Sequence, residues 1–360
     1  MRRSQLFLIP ALAALFLGPA VAAEVRHEIH FPDLDGYQTI ACDLHMHTVF
    51  SDGNVWPPVR VAEAWRQGLD AISITDHIEY QPHKDDVSTE HNRPYDLAAG
   101  TAGVHNILLA RGAEISRDTP PGHFNAIFLK DINPLDNADF LEVIKRANEQ
   151  GAFVFWNHHE WKGTERGRWT DTHTTMHDNK WLHGMEVANG DTYYPTAHKW
   201  CLEKNLTMIG TSDIHDTDLR RKSTSSEHRT MTLVFVKERT LDGLKEALQQ
   251  GRTTVWYADQ LIGRREWLEQ LFAKCVSIAP PNVNSGSTTW VEIRNACNAD
   301  ITLERTGGIG PSQLVLPAGT TTLVKLRVGK ATGPVELHYT ATNFLPAPET
   351  GLPVVLTIPE

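Results

Sequence analysis

Short apolar runs that each end in a polar cluster punctuate the first two thirds of the chain. Residues 71–75 lead into Asp76-His77, 108–113 into Glu114, 152–156 into Asn157-His158-His159, and 207–212 into Asp213-Ile214-His215. An earlier run ends in His45-Met46-His47, with Asp52 five residues further on. Between the runs, helical spacing at 59–67, 139–150, 196–204 and 241–250 completes a β/α alternation. The polar clusters therefore collect at one end of the strands, the end where loops of parallel-strand barrels build sites. His45 and His47, at i and i+2 of an extended segment, face one side and suit a shared cation. His123 opens its run at 123–129 instead of closing it. The turn residues Pro120-Pro121-Gly122 resolve this, because a hairpin there returns the strand antiparallel and sets His123 beside Glu114.

The pattern changes near residue 276. Segments 289–294, 313–316, 320–328 and 335–340 alternate with period two between glycine and proline turns, and no convincing helix follows. This predicts a small all-β sandwich at 276–360, joined through a helix within 259–275 to an α/β domain at 24–258. The β domain has no His-Asp cluster, which leaves it packing, stability or partner contact.

Arg2 and Arg3, the apolar residues 6–17 and Ala20-Val21-Ala22-Ala23 ahead of Glu24 read as a secretory signal peptide at 1–23. The expected location is periplasmic or extracellular. Nothing later approaches the length of a membrane-spanning helix, so no membrane anchor is expected. The net charge of −10 becomes −12 once Arg2 and Arg3 are removed. An acidic chain repels polyanions at long range, which argues against nucleic acid as a partner. Of four cysteines, Cys42 and Cys201 read as buried thiols, while Cys275 and Cys297 are candidates to pair in an oxidising compartment.

The ordered set His45, His47, Asp52, Asp76-His77, Glu114, His123, His158, Asp213 and His215 resembles the polymerase and histidinol phosphatase (PHP) superfamily of metal-dependent phosphoesterases. The resemblance spans about residues 40–260 and is closest to secreted bacterial phosphodiesterases, including those acting on organophosphate diesters. Asp33-Leu34-Asp35-Gly36-Tyr37, His91-Asn92-Arg93 and the stretches 47–56, 74–80, 121–131 and 205–215 carry that closer likeness. It implies a distorted (β/α)7-type PHP barrel and three divalent transition-metal ions, one held by His45, His47, Glu114 and Asp213, one by Glu114, His123 and His158, and one by Asp52, His77 and His215. A hydroxide bridging the first two would be the nucleophile. The third would hold a phosphoryl oxygen or the leaving alkoxide. Imidazole with carboxylate suits Zn, Mn or Fe, and three such ions against three carboxylates leave a net charge of about +3 that draws phosphate oxyanions. The chain departs from the family at His159-Glu160, where relatives carry a Pro-Gly turn, so the loop there takes its own shape.

Around this set, Asp43, Asp76 and Glu186 are candidates to orient ligands, with Asp76 also a candidate catalytic residue. Arg93, with His91, is a candidate phosphate clamp, since a guanidinium fork matches phosphate oxygens. The loop 157–182 carries Trp161, Trp169 and Trp181 together with His159, His173 and His177. It is expected to contact the second ester group of a small phosphodiester. Alternative readings are a phosphomonoesterase on the same site, an amidohydrolase-like amide or ester hydrolase, and a noncatalytic metal binder. Glu114, standing where amidohydrolases carry a carboxylated lysine, weighs against the amide reading. The sequence leaves the oligomeric state open.

Overall fold

The computed structural model describes residues 24–220, 224–225, 227–281, 283–285, 287–328 and 335–359. The segment 1–23, read above as a signal peptide, lies outside them. No helix among the described residues is long and apolar enough to cross a membrane.

The first part of the chain runs β1 (Gln38–Asp43), α1 (Pro57–Arg66), β2 (Ala71–Ile74), α2 (Arg93–His105) and β3 (Leu108–Ser116). β4 (His123–Ile127) then returns antiparallel, with His123 opposite Ser116 and Asn125 opposite Glu114. Gly122, at φ +97°, takes the left-handed conformation that this turn needs. α3 (Phe140–Glu149), β5 (Phe153–Trp156), α4 (Asp171–Asp178), β6 (Gly184–Asn189), β7 (Thr192–Tyr193), α5 (Pro195–Lys204) and β8 (Thr207–Thr211) follow. β9 (Met231–Val236), α6 (Leu241–Gln249), β10 (Thr253–Tyr257), β11 (Gln260–Gly263) and α7 (Arg265–Cys275) complete the α/β part.

The helices form where apolar spacing meets a cap. Asp139 accepts from Glu142 N to start α3, which buries Val143, Ile144 and Ala147. Thr240 accepts from Gly243 N to start α6, which buries Leu244, Ala247 and Leu248. Each such leucine, isoleucine or valine contributes about 1.5–3 kcal/mol on burial.

Within the large sheet the order β11-β10-β9-β1-β2-β3-β4-β5-β6 is hydrogen-bonded throughout, with β8 also on β6. The ladders β1–β2, β2–β3, β5–β6 and β6–β8 are parallel. Those of β4 with its neighbours, and of β9 with β1 and β10, are antiparallel. This mixed sheet departs from a uniform (β/α)7 repeat, because hairpins replace helical crossovers at β3–β4 and β10–β11. Threonine side chains bring β8 against β9 and β10: Thr232 Oγ1 meets Gly210 N at 2.9 Å and Gly210 O at 2.8 Å, and Thr253 Oγ1 donates to Met208 O at 2.8 Å.

After α7 come β12 (Val276–Ile278), β13 (Val283–Ser285), β14 (Thr288–Asn295), β15 (Ile301–Gly308), β16 (Gln313–Leu316), β17 (Thr321–Arg327), β18 (Val335–Ala341), β19 (Phe344–Leu345) and β20 (Leu352–Ile358). One sheet contains β12, β14, β13 and β17, and the other β16, β15, β18 and β20. Between them lie the buried Val291, Ile293, Val324, Leu326, Leu303, Leu337 and Leu356. β19 leaves the sandwich to pair in parallel with β11, so the two parts share a sheet. The helix expected from residue 260 begins only at Arg265, because a tight turn at Ala258, in the left-handed region, first pairs β11 with β10.

All four cysteines are free and buried, so the expected Cys275–Cys297 pairing is not formed. The Cys297 thiol instead donates to Asn295 Oδ1 at 3.2 Å. Burial pushes the Cys275 thiol well up, away from the thiolate that oxidation requires.

Candidate metal centre

The nine ligand candidates converge on one point above the C-terminal strand ends. His45 and His47 follow β1, and their Nε2 atoms stand 3.1 Å apart. Each ring is held by its other nitrogen, His45 Nδ1 at 2.8 Å from Glu186 Oε1 and His47 Nδ1 at 3.2 Å from Ser51 Oγ. Glu114, on β3, is fully buried between them and the neighbouring strands. Its Oε1 lies 3.0 Å from His123 Nδ1, 2.9 Å from Asn157 Nδ2 and 3.5 Å from His158 Nε2. Its Oε2 lies 2.8 Å from His77 Nδ1 and 3.3 Å from His47 Nε2. Asp213 closes the group from the end of β8, with Oδ1 3.0 Å from His47 Nε2 and 3.1 Å from His45 Nε2. Asp52 Oδ1 stands 3.2 Å from His215 Nε2 and 3.5 Å from His77 Nε2. The turn carrying Asp52 is tight: a Cβ on Gly53 would come within 2.5 Å of the His47 carbonyl carbon.

Four sets of donor atoms lie close enough together to share a cation: His47, Asp52, His77 and His215; His45, His47 and Glu114; His45, His158 and Asp213; and His77, Glu114 and His123. The first adds His47 to the trio implied for the third ion. The others divide the implied first and second sets differently, with Asp213 beside His158 and His123 beside His77.

A cation fits this donor set. Asp52 Oδ1, Glu114 Oε2 and Asp213 Oδ1 are buried without an aligned hydrogen bond, although imidazole nitrogens approach them to 3.2, 2.8 and 3.0 Å. Donor atoms crowding one point without pairing have the geometry of a metal site. The electrostatics agree. Burial alone would raise Glu114, yet His77 and His45 hold it well below the usual carboxylate range. Burial would likewise lower His77, but Glu114 and Asp52 push the imidazole up to about 10. His45 rises well above its ordinary value as Asp213, Glu186 and Glu114 outweigh its burial, while burial prevails at His47 and lowers it. Without metal, the carboxylates thus draw protons onto His45 and His77, and a divalent cation would take the place of those protons.

The centre opens into a cleft of about 600 Å³ whose lining includes Tyr80, Arg117, Trp161, Lys162, Asn189 and Tyr194. Trp161 is 49% exposed and its ring centroid is 5.3 Å from that of His123, while Tyr80 is 54% exposed and lies 6.2 Å from His77. The cations of the wall are already paired, Arg117 with Glu79 and Lys162 with Asp118.

His45 and His47 lie buried beneath the cleft lining, and the three residues expected to be catalytic also fall outside it. Asp76 is occupied in holding the His47 turn: Oδ1 accepts from Thr48 N at 2.6 Å and Ser51 Oγ at 2.7 Å, and Oδ2 from Thr48 Oγ1 at 2.6 Å. Arg93 is exposed on the first turn of α2. It is turned from the cleft because Asn92 ties that turn to Asp131, Ile132 N and Arg111. His91 borders a narrow crevice behind His77 and faces Asp136 at 3.7 Å. Of the loop 157–182, only His158, Trp161 and Lys162 line the cleft. Further along it, Asp171–Asp178 form α4, with His173 buried and stacked on Trp156 at 3.8 Å. Glu186 and Asp43 do brace ligand segments, Glu186 through His45 and His158 N, and Asp43 through Ser212 N. Sequence reading missed Arg117 and Lys162. The position of Lys162 four residues after His158 was the one available signal.

Fold and site together define a two-domain protein, α/β followed by all-β, whose strand ends bring together four groups of side chains that could each hold a metal ion. Residues 276–357 match the family model of an Ig-like domain. No curated protein matches the chain. Among solved structures, a two-domain protein of Bacteroides vulgatus containing a predicted PHP-like metal-dependent phosphoesterase is 44% identical, with a TM-score of 0.87 over 93% of this chain and 100% of that one. The chain belongs to this family of two-domain PHP-like proteins. A metal-dependent phosphoesterase of Bifidobacterium adolescentis (16% identity, TM-score 0.41, 58% of this chain and 96% of that one) is too distant to add to the argument. The same holds for an amidohydrolase of Chromobacterium violaceum (15%, 0.37, 49% and 87%).

Proposed function

We propose that this protein is a metal-dependent phosphoesterase that hydrolyses small phosphodiesters with an aryl or other bulky ester group. The observation that carries the reading is the cluster of six imidazoles and three carboxylates, with His45, His47 and Glu114 fully buried and the other six lining the cleft together with Glu114. His45, His47, Glu114, His123, His158 and Asp213 would hold one part of the metal complement, and Asp52, His77 and His215 another, for about three Zn, Mn or Fe ions. Bound there, such ions lower the pKa of a coordinated water and screen phosphoryl oxygens.

The chain's own residues supply the rest. Glu186 and Ser51 hold the Nδ1 atoms of His45 and His47 so that their Nε2 atoms face Glu114 and Asp213. Trp161 and Tyr80 offer exposed rings on either side of the centre, where the planar group of an ester can rest. Charge alone does not favour diesters, since a monoester dianion carries two negative charges where a diester carries one. The preference rests instead on contacts to the second ester group, which the exposed rings of Trp161 and Tyr80 can supply.

The test is a side-by-side assay of the metal-loaded protein on bis(p-nitrophenyl) phosphate, p-nitrophenyl phosphate and a p-nitroanilide. The expected result is the largest kcat/KM on the diester. A larger value on the monoester overturns the diester reading, and turnover of the anilide alone overturns the phosphoesterase reading. We also propose export, on the strength of the Arg2-Arg3 and apolar 6–17 pattern. A mature N-terminus near Glu24 in the periplasmic or culture fraction tests it.

A further inference from the structure

Behind the centre, on the side away from the cleft, two arginines are buried in the barrel wall. Arg60, on α1, is fully buried and donates to four main-chain carbonyls: Nε to His47 O at 2.8 Å, Nη2 to Ile214 O at 3.2 Å and His215 O at 2.5 Å, and Nη1 to Asp216 O at 2.7 Å. Nη1 also meets Glu63 Oε2 at 2.8 Å, and the other Glu63 oxygen takes Asp218 N at 2.9 Å. Arg229 continues the chain of contacts, with Nη2 to Asp218 Oδ2 at 2.8 Å and Nη1 to Asp43 Oδ2 at 2.9 Å. Asp43 then accepts from Ser212 N at 3.1 Å. The two segments that carry His45, His47, Asp213 and His215 are therefore stapled together before their ligands, through Asp43 and Ser212, and after them, through Arg60.

We propose that Arg60 is a positioning residue for the metal centre, setting the separation of the 47–52 and 213–216 segments and hence the placement of His47, Asp52 and His215, which with His77 form one of the groups that could share a cation. This rests on the reading of that group as a cation site. Burying a guanidinium is costly unless its donors are satisfied, and here they are spent on the backbone carbonyls of two ligand segments. The carbonyls of His47 and His215 belong to ligands themselves, so displacement of the guanidinium displaces their side chains. Lysine in this position keeps the charge but offers three donors where arginine offers five in a fixed plane.

The experiment compares wild type, Arg60→Lys and Glu63→Gln as purified full chains, by metal analysis, by competition with a chromogenic chelator, and by thermal unfolding before and after chelation. For Arg60→Lys the expected result is unfolding of the chelated protein close to wild type, loss of about one metal equivalent, and a roughly 10- to 100-fold weaker affinity at the weakest site. Glu63→Gln leaves the carbonyl bonds available and should weaken the same site by only a few-fold. It also serves as the readout if Arg60→Lys fails to fold. Wild-type metal content and affinity in the folded lysine variant, or unaltered affinity in Glu63→Gln when that variant alone folds, overturns the proposal. So does a variant destabilised after chelation with affinity intact, which marks Arg60 as structural only. Wild type that binds no divalent cation overturns the metal reading itself.

Discussion

The two parts of the molecule bury different things. At the strand ends of the barrel, His45, His47, Glu114 and Glu186 are fully buried, ionisable and in contact with one another. In the Ig-like part, β14 and β18 alternate buried and more exposed residues, and the buried ones are mostly apolar, among them Val291, Ile293, Leu337, Tyr339 and Ala341, with no charged side chain among them. Apolar burial is favourable wherever it occurs, but desolvating a charge costs several kcal/mol per ion and persists only where something compensates it. The difference separates a region shaped by packing from one shaped by what it holds. The β domain nonetheless lends β19 to the large sheet, so it braces the edge strand β11.

The largest expected effect is at the centre of the charged region. Glu114→Gln removes one charge from the carboxylate that faces His77, His123 and His158. It should lower metal content and reduce turnover by roughly three orders of magnitude, the scale seen when a directly acting group is removed. Metal analysis beside kcat checks this, and full activity would dissolve the contrast between the two regions.

Acid should strike the barrel next. Burial holds His173, His183 and His198 down at about 4, against an ordinary value of 6.5. A histidine depressed in the folded state takes up its proton more readily when unfolded, so stability is complete above about pH 6.5 and falls as pH drops towards 4. Summed over the three, the loss is on the order of several kcal/mol. Hydrogen exchange of the metal-free protein at pH 4.5 and 7, corrected for intrinsic rates, should show β5 and β6 loosening well before β18 and β20.

Leu337→Ala, in the core of the β domain, should cost about 2–5 kcal/mol in denaturant unfolding. Metal content per folded chain should stay unchanged. If it falls as well, the coupling through β19 and β11 is stronger than simple bracing.

The smallest effect is expected at the rim. Trp161→Ala should raise KM for bis(p-nitrophenyl) phosphate about 10-fold with kcat nearly unchanged, the pattern of lost binding without lost chemistry. An unchanged KM would remove the aromatic wall from the substrate reading.

Much of the site was legible because it rests on local rules. Period-two spacing puts His45 and His47 on one side, and Pro120-Pro121-Gly122 turns the chain so that His123 meets Glu114 at 3.0 Å. Arg93 was misplaced because residue type gives no direction, and its position on α2 is decided by Asn92 binding Asp131, Ile132 and Arg111 from distant parts of the chain. Cys275 and Cys297 were suggested as a pair by compartment alone, while the structure buries both as thiols. Arg60 left no mark at all, since all but one of its partners are main-chain carbonyls, three of them 154 to 156 residues away, and carbonyls carry no sequence signature.

The sequence by itself determined the strand ends, the ligand types, the turn at Gly122 and the change from α/β to β near residue 276, because each follows from spacing, chirality or composition within a short window. Only the tertiary structure decided which donor groups lie close enough together to share a cation, that Asp76 holds a turn, which charged side chains wall the cleft, and that β19 joins the large sheet. Those depend on hydrogen bonds and charges between segments far apart in the chain, whose geometry exists only once the large sheet has formed.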